Sequence, residues 1–109
     1  MPEERLRDLA GFRDAISTLP RVLLFKHSPI CPVSTRALAE WEAFQAAHPE
    51  AQTLYVDVIA ERATARGLAE LCGIVHASPQ AILFVDGEPR WDASHGGITA
   101  ESLARAWSR

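Results

Sequence analysis

The chain has 109 residues, 48% hydrophobic and 23% charged, the balance of an ordinary globular domain and not of a disordered one. Eleven Lys and Arg against fourteen Asp and Glu leave a net charge of −3, without the basic footprint of a nucleic-acid binder. Two cysteines are too few for a secreted disulfide framework, or for a four-ligand zinc site unless histidines complete it.

Leu6, Leu9, Phe12 or Arg13, and Ile16 recur at helical spacing, which predicts an amphipathic helix ending near Pro20. Val22-Leu23-Leu24-Phe25 reads as a short strand buried on both faces. After the turn-rich His27-Ser28-Pro29-Ile30-Cys31-Pro32, a second helical stripe runs through Val33, Ala37, Leu38, Trp41 and Phe44 and closes at Pro49. The run from Thr53 to Val58 is β-rich. Residues 60–72 predict a third helix, with Ala65, Leu68, Leu71 and Cys72 inward, Gly67 weakening it and Gly73 stopping it. Ala81 to Val85 is a strand entering an Asp86-Gly87 turn, with Pro89 to Ala93 as its antiparallel return. Thr99 is positioned to cap a last helix carrying Leu103, Ala106 and Trp107.

The order α-β-α-β-α-β-β-α predicts one α/β domain over residues 1–109, a central mixed sheet of about four strands flanked by helices. The β-α-β start implies parallel pairing and the late hairpin an antiparallel edge. This is the order of the thioredoxin fold. Met1-Pro2-Glu3-Glu4-Arg5 has no apolar signal-peptide core, and the longest wholly apolar run, Ala81 to Val85, is far too short to span a membrane. The expectation is a cytoplasmic monomer with reduced thiols, without membrane or nucleic-acid partners.

Cys31 falls between an apolar strand and a helix, with Pro32 suited to the first helical turn. A thiol there meets unpaired backbone N–H groups and the positive end of the helix dipole, which favour the nucleophilic thiolate. The alternative role, a small buried core residue, fits poorly with a turn holding two prolines, a serine and a histidine. Ser34 stands three residues on, where dithiol oxidoreductases carry their second cysteine. Its hydroxyl is a potential donor to the thiolate, or it satisfies the helix end as any first-turn serine does. Ser78-Pro79 precedes a strand at the point where the thioredoxin fold has a cis proline facing the nucleophile, presenting the preceding backbone to substrate.

Phe25-Lys26-His27-Ser28, Cys31-Pro32-Val33-Ser34, Asp57-Val58, His76-Ala77-Ser78-Pro79-Gln80 and Trp91-Asp92-Ala93-Ser94-His95 resemble the monothiol bacilliredoxins, in matching order from about Leu6 to Trp107. The resemblance implies a thioredoxin-like fold, Cys31 as the catalytic nucleophile, and support for it from His27, Ser28, Pro32, Val33 and Ser34. It implies no permanently bound cofactor, with bacillithiol as co-substrate, bacillithiolated proteins as partners, and bacillithiol or a disulfide reductase for recycling. Bacillithiol carries a malate with two carboxylates, so its recognition calls for cationic or hydrogen-bond donors near Cys31. Lys26, His27, Arg36 and His95 are the candidates, with Ser78 and Pro79 offering backbone contacts. Gly96-Gly97 follow His95 where the resemblance leads one to expect a bulkier residue. Their bare backbone is either a platform for a thiol cofactor or a tight turn.

Cys72, on the inner face of the third helix, is expected to be a core residue, not a resolving thiol. His27, His76 and His95 form no metal-ligand spacing. Asp57 is expected to cap the loop that follows it. The reading is a monothiol thiol-disulfide oxidoreductase that removes bacillithiol from protein mixed disulfides. The alternatives are an iron–sulfur cluster binding or carrier protein of monothiol-glutaredoxin type, and a thioredoxin-like interaction module.

Overall fold

Four consecutive apolar residues, Val22 to Phe25, have no polar face to offer water, and the chain buries them at the centre of its sheet. The computed structural model describes residues 3–5, 8–28 and 32–108, and the side chains of all of these except 3–5 and 33. In order the elements are β1 (Glu3–Arg5), α1 (Leu9–Thr18), β2 (Arg21–His27), α2 (Pro32–Ala47) and β3 (Thr53–Asp57). There follow α3 (Arg62–Cys72), β4 (Gln80–Val85), β5 (Glu88–Ser94), a 3-10 turn (His95–Gly97) and α4 (Ala100–Ser108). Among the described residues five strands form one sheet in the order β1-β3-β2-β4-β5. β1 and β2 run parallel to β3, while β4 is antiparallel to β2 and β5 to β4. This is the thioredoxin fold, with one strand more than the sequence pattern predicts. β1 carries only Glu and Arg, so no hydrophobic alternation announces it; it joins the sheet edge by parallel pairing with β3.

The pleat of β2 divides the interior in two. Leu23 and Phe25 pack with Trp41 and Phe44 of α2 and with Leu103 and Ala106 of α4. Val22 and Leu24 face the other way, onto Phe12 and Ala15 of α1 and Leu68 of α3. Aromatic contacts tie each side: Phe25 stacks on Trp41 at 4.8 Å, and Phe12 meets Phe84 edge-on at 5.1 Å. Burying each large apolar side chain contributes about 1.5–3 kcal/mol.

Local signals close the elements. Asp8 Oδ1 accepts from Gly11 N–H at 2.8 Å and caps α1. Thr99 and Ser102 cap α4 reciprocally: Thr99 Oγ1 accepts from Ser102 N–H, and Ser102 Oγ accepts from Thr99 N–H. The Asp86-Gly87 turn has positive φ at both residues, the hairpin geometry its sequence predicts. Gly67, unfavourable by propensity, sits where α3 approaches α1: a Cβ there would lie 2.5 Å from Leu9 Cδ1. Two expectations change. α3 begins at Arg62 and not at residue 60, because 58–61 form a turn held by Asp57, and Leu71 is 46% exposed while Thr64 is buried. Leu71 lies in the last turn, beyond the buried Thr64, Ala65 and Leu68. The predicted inward Leu6 lies outside the described residues, as does the side chain of Val33.

Trp41 is fully buried against Phe25 and Phe44. Trp41→Ala should therefore cost about 3–5 kcal/mol in urea denaturation. A loss below about 1 kcal/mol would mean that the α2 face is not the packed core described.

Candidate active site

Parallel β2 and β3 end together, at His27 and Asp57, and antiparallel β4 begins beside them, Lys26 opposite Gln80. Three connections therefore meet at one end of the sheet: the segment into α2, the turn after β3 and the segment into β4. Cys31, like Pro29 and Ile30, lies outside the described residues; it is the residue immediately before Pro32, where α2 begins. Ser34, one turn into α2, is fully buried, and its Oγ accepts from Ser28 N–H at 3.3 Å. It thereby ties the chain leaving β2 to the first turn of the helix, and among the described residues does not satisfy a helix-end N–H as foreseen for a first-turn serine. The thiolate contact also foreseen for Ser34 involves Cys31 and so lies outside the described residues.

His27 differs from expectation. It is not a loop residue but the last of β2, 4% exposed, its ring stacked on Phe25 at 5.6 Å and against Tyr55 at 5.8 Å. Burial lowers its pKa, opposed by the charges of Asp57 and Glu42, so the ring is neutral at pH 7. Its Nδ1 is buried without a hydrogen-bond partner among the described residues. Lys26 is corrected more sharply. The same alternation that faces Val22 and Leu24 toward α1 and α3 carries Lys26 to that side, where it is completely buried. Its Nζ donates to Gln80 Oε1 at 2.9 Å, and Gln80 Nε2 donates to Val75 C=O at 3.1 Å. Desolvation lowers its pKa to about 8, partly offset by Cys72. An ammonium in that position is not available to a solvent-borne carboxylate. Asp57 behaves as expected: its Oδ1 accepts from Ile59 and Ala60 N–H at 2.9 and 3.0 Å.

The peptide between Ser78 and Pro79 is cis. Ser78 is half-buried, its Oγ enclosed without a hydrogen-bond partner among the described residues, and Pro79 C=O accepts from His95 N–H at 3.1 Å. This bond joins the strand-entry segment to the 3-10 turn. Between that turn and α2 lies a cavity of about 510 Å³ whose walls include Pro32, Arg36, Glu40, His95, Gly96 and Thr99. Arg36, His95 and Gly96 thus line one cavity together with Pro32, the first residue of α2. Gly97 does not line the cavity; its C=O accepts from Ser102 Oγ at 2.9 Å, at the start of α4. Sequence reasoning missed Glu40, whose Oε1 accepts from Ala100 N–H at 2.7 Å and pins α4 to α2. Its position four residues after Arg36, on the same helix face, was the available signal.

Cys72 stands apart, half-buried at the rim of the α1/α3 core. Burial raises its pKa and the Lys26 charge only partly offsets this, so it is a protonated thiol at neutral pH, as a packing residue would be.

A family model described as monothiol bacilliredoxin BrxC matches residues 4–103. A solved structure provisionally described as an oxidoreductase with a thioredoxin fold is 32% identical, with a TM-score of 0.90 over 96% of this chain and 93% of the other. Oxidised mitochondrial thioredoxin 3 of Saccharomyces cerevisiae is 18% identical, with a TM-score of 0.75 over 95% of this chain and 92% of its own. Fasciola hepatica thioredoxin is 19% identical, with a TM-score of 0.78 over 97% of each chain. The two thioredoxins, at these identities, attest the architecture.

Lys26 makes stability depend on pH with a definite sign. Its folded pKa of about 8 lies below the ordinary 10.5, so between these values the unfolded chain binds more protons and stability rises with pH. Below pH 8 the buried cation costs on the order of 3 kcal/mol. The stability of Lys26→Met relative to wild type should therefore fall by about that amount between pH 7 and pH 10.5, read by urea denaturation. A difference that stays constant across the window would mean that Lys26 is not desolvated.

Proposed function

Because this chain belongs to the monothiol bacilliredoxin family, thiol oxidoreductases of thioredoxin fold, we propose that it removes bacillithiol from protein mixed disulfides through Cys31. What carries the reading is the family match across 4–103 together with the placement of residue 31 directly before a 16-residue helix. The positive end of that helix favours the Cys31 thiolate over the thiol. The thiolate attacks the bacillithiol sulfur of a protein–S–S–bacillithiol adduct. One S–S bond breaks and one forms between Cys31 and bacillithiol, while the protein sulfur leaves as a thiolate and takes a proton from water. No net oxidation occurs. The enzyme is left S-bacillithiolated, and a second bacillithiol, or a disulfide reductase, displaces the adduct and restores Cys31.

In this reading the backbone at Ser78 pairs with the extended substrate segment next to its modified cysteine, and Ser34 keeps the α2 entry in place. Serine at 34 cannot resolve the adduct internally, which makes an external thiol obligatory. Cys72, a protonated thiol on the α1/α3 side of the sheet, takes no part.

Incubation with bacillithiol disulfide, followed by intact-mass and peptide analysis, should give a single adduct on Cys31. Cys31→Ser should abolish removal of bacillithiol from a bacillithiolated protein, whereas Cys72→Ser should leave the rate within about twofold. If instead the Cys72 variant is trapped as the Cys31 adduct and cannot turn over, Cys72 is a resolving thiol and the monothiol cycle is wrong.

A further inference from the structure

Val22 and Leu24 precede Lys26 on one face of β2, and an apolar third residue would pack there without penalty. The chain instead buries an ammonium completely, and desolvation makes that unfavourable at neutral pH. Its partner Gln80 is itself 3% exposed. Packing alone gives no reason for either residue.

Together they fix a direction. An ammonium has three donors and no acceptor, so the Gln80 amide turns its oxygen to Lys26, 2.9 Å from Nζ. Its nitrogen is thereby aimed at Val75 C=O, 3.1 Å away. Val75 lies in the segment between α3 and β4 and is 87% exposed, so side-chain packing does not hold it. Ile74 packs on the α1/α3 core at one end of this segment, and Pro79 C=O accepts from His95 N–H at the other. Among the described residues, the Gln80 amide is the only hydrogen-bond partner of the backbone from 74 to 78. Ser78 stands three residues beyond Val75.

We propose that Lys26 and Gln80 are positioning residues for the protein half of the mixed disulfide, setting the backbone of residues 75–78 where Ser78 pairs with substrate. Neither touches substrate. The ammonium orients the amide, and the amide holds the Val75 carbonyl. The segment is therefore in its pairing geometry before substrate arrives, and less freedom is lost on binding. A small disulfide has no peptide to pair, so the two residues act on peptide recognition and not on the sulfur chemistry. The inference rests on the exchange reading of Cys31 and on the pairing assigned to Ser78.

A bacillithiolated peptide and bacillithiol disulfide present the same sulfur to Cys31 and differ in whether a peptide is attached. The test is the ratio of their second-order rate constants, peptide over small disulfide, with the full chain at pH 7. Gln80→Glu keeps a partner for Lys26 but sets a carboxylate, which has no donor, against Val75 C=O. It should lower the ratio about tenfold, the loss of one buried hydrogen bond. Its thermal midpoint should hold or rise, because the buried ammonium gains a counter-charge; this separates lost positioning from a weakened fold. Lys26→Met frees the amide to turn and should lower the ratio by about threefold or more. Either variant, once folded, decides the matter. An unchanged ratio overturns the positioning role, even if both constants fall together through an altered thiolate, and leaves exchange at Cys31 standing. Failure of wild type to react with either disulfide overturns the exchange reading itself.

Discussion

Burial of β2 on both faces is the constraint from which the rest of the structure follows. From Val22 to His27 the strand lies between two helical layers, with β3 on one side and β4 on the other saturating its backbone. Its alternation assigns α2 and α4 to one layer and α1 and α3 to the other. The apolar four residues supply the driving force, and the strand then carries a lysine and a histidine inward at its C-terminal end. Desolvation of Lys26 is tolerated because Gln80 Oε1 accepts a hydrogen bond from its Nζ and burial of Val22 to Phe25 in the same strand outweighs the cost.

The site is built from connections that cross between elements and not from any one loop. Ser28 to Ser34 joins β2 to α2; Lys26 through Gln80 to Val75 joins β2 and β4 to the segment before the cis proline. Pro79 to His95 joins that segment to the 3-10 turn, and Glu40 to Ala100 joins α2 to α4. Three of these links have a residue on a flanking helix or on the sheet, and the fourth, Pro79 to His95, joins two connecting segments. The cavity exists because the chain leaves β5 through His95 and turns back toward α2 before α4 begins.

Periodicity carried most of the architecture. Helix stripes, the buried strand at 22–25, the 86–87 hairpin and the Thr99 cap were all legible, because each is a local pattern with a local physical cause. β1 was not, since an edge strand of charged residues is held by backbone pairing alone. The position of Cys31 ahead of a helix and that of Ser78-Pro79 ahead of a strand were likewise visible, because both depend only on what the chain does next.

The sequence by itself determined the order of elements, the family motifs and the residue types available for thiol exchange, all of which are encoded within a few residues of one another. Only the tertiary structure decided where each polar group points. Lys26, Arg36 and His95 read alike as cationic or hydrogen-bond donors close to a cysteine in sequence, yet strand parity buries the first while the other two line a shared cavity. Side-chain direction follows from the register of β2 against β4 and from the seat of α2 on the sheet, contacts between residues some 50 positions apart that no local pattern records.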